Sequence, residues 1–282
     1  MNLRLPFLLL TATLAACESS LDVDLATANF EDAKRIEVRL EGVELRDDSG
    51  GIVSIEADDP GLVDLLDYQG SALLRLVSDV EVPARNYQSL RLLLSDDDAE
   101  LEEEDGDVRP IRLAASQPFL PVDFSLDDDG SETLLAVLDL RFSLADRSAS
   151  SGDYSLRQQG VAGLAGEVGT LRGSVDESYV SAGACAGIGD DGYAVYLFEG
   201  QRTAGSDFFA DADDNPVVSA SVLRNAGESD YRYAFRGLTE GDYTLVFTCQ
   251  ADLDDPESRQ TLVFREPVAV EIEAGSETQK DL

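Results

Sequence analysis

The chain has 282 residues, 57 acidic against 21 basic, a formal charge of −36, and neither histidine nor tryptophan. So large an acidic excess repels phosphate backbones and anionic lipid surfaces, which removes nucleic acid from the expected partners. Without histidine there is no imidazole base, no Ser-His-Asp triad and no histidine-ligated zinc, and a Trp platform for sugar rings is excluded too.

Residues 1–16 read as a signal peptide. Arg4 carries their one charge, and the short apolar run Leu5 to Leu14 falls well below the roughly 20 residues that a membrane-spanning helix needs. Leu14-Ala15-Ala16-Cys17 resembles the bacterial lipobox. That resemblance implies a diacylglycerol thioether on Cys17 and several acyl chains as the membrane anchor, one chain alone binding only marginally. Glu18 is not the aspartate that in enteric bacteria typically retains lipoproteins in the inner membrane, so the outer membrane is the expected address. Cleavage removes Arg4 and no acid, which takes the charge to −37. The acidic excess runs along the whole chain and resembles the hydrated surfaces of proteins from salt-loving bacteria.

Residues 17–20 read as a lipidated tether, and the first strand is expected at Leu21 to Leu25. In Arg35 to Leu45, Ile36, Val38 and Leu40 alternate with charged residues, and Gly42 then shifts the phase for Val43 and Leu45, as a β-bulge requires. Further strands are expected at Ile52 to Ile55 and Ala72 to Val77, punctuated by Asp59-Pro60-Gly61 and Val82-Pro83. Tyr87 to Leu94 is leucine-rich enough to be buried on both faces, and Asp96 to Asp107 is expected to form a polar hairpin tip. Leu134, Ala136, Leu138, Leu140, Phe142 and Leu144 fall on one face of a single long strand. Many short strands and no comparable amphipathic helix indicate an all-β chain of two β-sandwich domains in tandem, residues 21–166 and 167–282.

The segments AKRIEVRLEGVELR (Ala33 to Arg46), VPARNYQSLRLLL (Val82 to Leu94) and LDLRFSLADRS (Leu138 to Ser148), followed by Tyr154-Ser155-Leu156-Arg157, resemble the bacterial lipoprotein family known as domain of unknown function 4382. The resemblance covers Leu21 to Gly166 and implies an exported β-rich domain with no catalytic residues to carry over. Gln158 stands where that pattern has a proline.

Gly160, Gly163, Gly166 and Gly169 mark the expected domain boundary as a hinge. Strands then follow from Thr170 to Ile272, including Thr261 to Phe264. Gly237 to Gly241 before Asp242-Tyr243-Thr244-Leu245 resembles the hairpin of transthyretin-like and carboxypeptidase-regulatory-like sandwiches, which implies a small structural or binding module.

Cys185 and Cys249 are the remaining thiols, and in an exported chain they are expected to pair as a disulfide. Asp211, Asp213 and Asp214, and again Asp252, Asp254 and Asp255, are acidic clusters able in principle to hold calcium, though neither follows the twelve-residue helix-loop-helix pattern. Solvated loops are the plainer reading, and no cofactor is required. Paired carboxylates also suit glycoside hydrolysis, but acids this abundant pair by chance. The expected function is therefore a non-catalytic, lipid-anchored envelope module that contacts protein or glycan, with a calcium-dependent binder second and a carboxylate glycosidase third.

Overall fold

The fold is taken from a computed structural model that describes residues 18–181, 183–188, 192–210, 212–224 and 230–282. The expected signal peptide, Cys17 and Asp211 lie outside these residues.

The first half carries β1 (Glu18–Thr27), β2 (Arg35–Asp47), β3 (Ile52–Asp64), β4 (Leu74–Pro83), β5 (Asn86–Glu102), β6 (Val108–Leu113), β7 (Leu120–Ser125), β8 (Ser131–Leu138), β9 (Leu144–Asp146), β10 (Tyr154–Leu156) and β11 (Gly160–Leu164). One sheet has the order β11-β8-β1-β4, with β1 and β8 parallel. The facing sheet runs β3-β2-β5-β6-β10-β9, and β7 adds to β5. Leu21, Val23 and Leu25 of the first sheet meet Val38, Leu40, Leu90 and Leu92 of the second in one buried core.

The second half carries β12 (Gly169–Val175), β13 (Ala194–Glu199), β14 (Val218–Ser221), β15 (Leu223–Arg224), β16 (Tyr231–Leu238), β17 (Gly241–Thr248), β18 (Val268–Ile272) and β19 (Glu277–Gln279). Its sheets have the orders β15-β16-β12-β19 and β14-β13-β17-β18. The chain is thus all-β, two sandwiches in tandem.

The bulge at Gly42 is present: the β2–β3 and β2–β5 registers both shift between Leu40 and Gly42. A Cβ there would sit 2.0 Å from the Ile55 carbonyl oxygen, so only glycine fits. Several expectations are corrected. Ser19 and Ser20 form no tether, because β1 begins at Glu18, Ser19 is buried, and Ser20 donates its N–H to the Gly130 carbonyl at 2.9 Å. β3 runs through Asp59-Pro60-Gly61, which its edge position permits. β5 is buried on alternate residues, not both faces, and it continues through the acidic run because Ala99 and Leu101 still reach the core. Gln158 is buried and grips the β5 backbone through its amide, accepting from Leu92 N–H at 3.0 Å and donating to the Leu92 carbonyl at 3.3 Å.

The expected hinge is instead the strand β11, hydrogen-bonded to β8. Gly160 is needed for close approach, since a Cβ there would lie 2.0 Å from the Val137 carbonyl oxygen. The Gly237 to Gly241 segment is not a hairpin either: β16 and β17 belong to opposite sheets, so it arches across the sandwich. Thr261 to Phe264 makes a single bridge, Thr248 to Phe264, in place of a strand.

The long strand expected over Leu134 to Leu144 breaks at Asp139. Its carboxylate accepts from Phe142 N–H at 3.2 Å and caps a helical turn, α1 (Leu140–Ser143), before the chain re-enters β9. The reason lies on the other face of β8. Leu134, Ala136 and Leu138 enter the first core, while Leu135 and Val137 enter the second beside Ala26 and Ala28 of β1 and its exit. The β8–β1 sheet is thereby covered on both sides, and the two sandwiches share it as a middle layer.

Candidate functional site

The break at Asp139 places charged groups in the junction between the sandwiches. Asp139 is fully buried and accepts from the Ser219 N–H and, at 3.1 Å, from the Ser219 hydroxyl of β14. Burial pushes its carboxyl up to about 6, against the pull of those donors and of Phe142 N–H. Arg141, 5% exposed, donates to Asp32 at 3.0 Å and to the Ser221 hydroxyl at 3.0 Å. Burial opposes its charge, but Asp32, then Tyr196 and Asp139, outweigh that opposition and shift the guanidinium upward. Phe142 stacks on Phe208 of the second half at 4.3 Å and meets Tyr196 edge-on at 5.1 Å. At the rim Arg147 pairs with Glu257.

Beside this junction lies a cleft of about 260 Å³, with Phe30, Asp32, Arg141, Asp146 and Tyr154 on one side and Ala251 to Asp255 on the other. Asp254 turns inward. Its Oδ2 accepts from the Tyr196 hydroxyl at 2.6 Å and from Phe208 N–H at 3.1 Å, and burial raises its carboxyl to about 6. Burial, and after it the Asp254 charge, drive the Tyr196 phenol well above its ordinary value, so this hydroxyl stays protonated. Two buried polar atoms at the cleft lack partners, the Nε of Arg141 and the Oδ1 of Asp254. A donor and an acceptor, both buried, therefore stand unsatisfied on two residues that line one cleft.

The expected calcium ligands are only partly brought together. Asp252, Asp254 and Asp255 share the cleft, but Asp255 caps a turn, accepting from Glu257 N–H and the Ser258 hydroxyl at 2.9 Å each. Asp213 lines a separate groove near Tyr243, and Asp214 faces Arg259 at 3.6 Å. Asn215 organises that turn by hydrogen bonds to the Phe209 and Ala212 backbone. Among the described residues no three such side chains converge as a metal site.

The disulfide is formed as expected. Cys185 and Cys249 are both buried, 5.7 Å apart at Cα, and close a loop of 64 residues. It marks an extracytoplasmic, oxidising setting. Arg141, Asp32 and Tyr196 were not singled out from sequence. The available signal was the unbroken apolar run Leu134 to Leu138 followed by Asp139 and Arg141, charges that a strand buried on both faces cannot leave unpaired.

Comparison with known proteins assigns a family to the first half alone. Residues 18–157 match the family described as Domain of unknown function (DUF4382), so the first half of the chain is a domain of that family. No curated protein matches the chain. Among solved structures, the Bacillus anthracis TIE protein is 10% identical over 94% of this chain and 34% of its own, with a TM-score of 0.22. The chain thus spans about a third of that protein. The minor pilin GBS52 of Streptococcus agalactiae is 10% identical over 93% of this chain and 94% of its own, with a TM-score of 0.21. A family CBM26 module of Eubacterium rectale Amy13K, solved with maltoheptaose, is 12% identical over 93% and 92%, also at 0.21. At these scores the likenesses carry no functional argument.

Proposed function

We propose that the protein is a non-catalytic envelope module, lipid-anchored through Cys17 at the outer membrane, whose fused sandwiches hold a binding cleft at their junction. The observation that carries this reading is the pair of unsatisfied buried atoms, Arg141 Nε and Asp254 Oδ1, on one cleft. A hydroxyl donates and accepts at once, so a hydroxyl of a glycan serves both. The non-catalytic part is supported by how the carboxylates are engaged: Asp32 holds Arg141, Asp146 holds Arg109, Asp254 holds Tyr196, and Asp255 caps a turn.

A photo-cross-linker at Leu253, exposed on the cleft rim, tests this in intact cells against the same group at Ile52, exposed on the distant edge strand β3. Capture of a discrete glycan or envelope protein at Leu253 alone is the expected result. Equal capture at both positions, or none at Leu253, contradicts the reading. Calcium dependence is the second reading, favoured by the five aspartates Asp32, Asp146, Asp252, Asp254 and Asp255 around the cleft. It requires a saturable calcium increment in melting temperature in about 1 M monovalent salt, lost in Asp252→Ala.

A further inference from the structure

A second cavity, of about 370 Å³, lies on the other side of the junction and shares no residue with the Arg141 cleft. Its floor is the outward face of β16 and β12, where Ala234 and Arg172 are register partners, and the first half overhangs it with Asn29, Gly70 and Ser71. Its charge is unusual for this chain. Acids outnumber bases 57 to 21 overall, yet the lining holds two arginines, Arg172 and Arg236, against the single acid Glu277. Glu277 is paired with Arg172.

Arg236 is left with no carboxylate among the described residues. It is half-buried, and its one hydrogen bond goes to the Ala72 carbonyl at 3.1 Å. Burial alone acts on it and lowers its proton affinity, whereas Arg35, Arg75, Arg85, Arg109, Arg141 and Arg147 are all raised by acidic partners. A half-buried guanidinium without a counter-charge is costly, and its fork of N–H groups matches a carboxylate. Beside it stand the polar groups of Asn29, Ser71 and Thr170 and the apolar Ala28 and Ala234.

We propose that this cavity is a carboxylate-binding site for a uronic acid residue of an acidic glycan, anchored by Arg236. A uronate ring offers the three features the lining matches: one carboxylate, several hydroxyls and an apolar C–H face. Repulsion from the acidic body does not prevent this, because at about 0.15 M salt the Debye length is near 8 Å and the local excess is positive.

The test is titration of the full chain with glucuronate at about 0.15 M NaCl, followed by NMR, with glucose as the uncharged control. Saturable glucuronate binding is expected, with no comparable glucose binding. Arg236→Gln should weaken it by about tenfold or more, as loss of a charged hydrogen-bonding partner does. Ala234→Glu sits at an exposed position on the same face and supplies an internal carboxylate to Arg236, so it should block the site even if Arg236→Gln perturbs the fold. The proposal is overturned by absence of saturable binding, by equal binding of glucose, by binding of poly-aspartate in place of glucuronate, or by unchanged affinity in both variants. None of these outcomes alters cross-linking at Leu253, so the two readings fail separately.

Discussion

Asp139 and Asp98 are the same residue in opposite situations. Asp139, at the junction, is fully buried with three donors around it and a helical turn built on it. Asp98, on the β5 rim, has a side chain 84% exposed and faces Arg39 only at 3.8 Å. Water replaces whatever partner the rim loses, but nothing replaces a partner in the junction. In a chain with 57 acids, position in the fold and not acidity marks the groups that matter.

The sharpest test of that contrast is removal of one arginine from each region. Arg141→Ala takes a buried guanidinium from Asp32 and the Ser221 hydroxyl and removes the positive charge beside the fully buried Asp139, and should cost about 3–5 kcal/mol, the range for breaking a buried pair. Arg39→Ala should change stability by no more than about 0.5 kcal/mol, and equal losses in urea unfolding would erase the distinction. Next in size is the disulfide. Cys249→Ser opens the 64-residue loop and should cost on the order of 4 kcal/mol by the chain-entropy relation. If the junction fuses the halves, the whole transition moves and not that of the second half alone.

Smaller effects come from protons and salt. Asp139 and Asp254 sit near 6 in the folded protein against an ordinary 3.8, so between about pH 4 and 6 the folded chain binds more protons than the unfolded one. Their contribution makes stability fall as pH rises through that window, with the full penalty present above it. Melting temperature should therefore rise from pH 7 to 5. Asp254→Asn keeps an acceptor for Tyr196 and should flatten the slope; an unchanged slope in that variant would remove Asp254 from the account. The rim answers to screening instead. Monovalent salt shortens the Debye length from about 30 Å at 0.01 M to about 3 Å at 1 M and should raise the melting temperature. The increment should be the same in wild type and Asp254→Asn, and a chain indifferent to salt would refute an acidic surface adapted to brine.

The strands were legible wherever one face was solvated. Ile36, Val38 and Leu40 alternate with charged residues, and Gly42 announces its bulge because only one residue type tolerates that backbone. What the pattern concealed was the second partner of the middle sheet. Leu135 and Val137 lie on the face of β8 opposite Leu134 and Leu138, and they pack into the other sandwich. The same ambiguity hid the site, since Asp139 and Arg141 resemble the polar half of an alternating strand until β14 is placed against them. Residues 160 to 169 misled for a related reason: glycines that permit close approach are spaced like glycines that permit motion. The disulfide was readable from thiol number and compartment, and the arch at Gly237 to Gly241 was not, because a hairpin and an inter-sheet connection use the same turn residues.

If the junction makes two sandwiches into one body that holds the cleft, the halves unfold together. Differential scanning calorimetry of the wild type and Arg141→Ala at pH 7 tests it most directly. The wild type should unfold in one cooperative transition that separates into two in the variant; two resolved transitions already present in the wild type would show that the sandwiches are independent bodies.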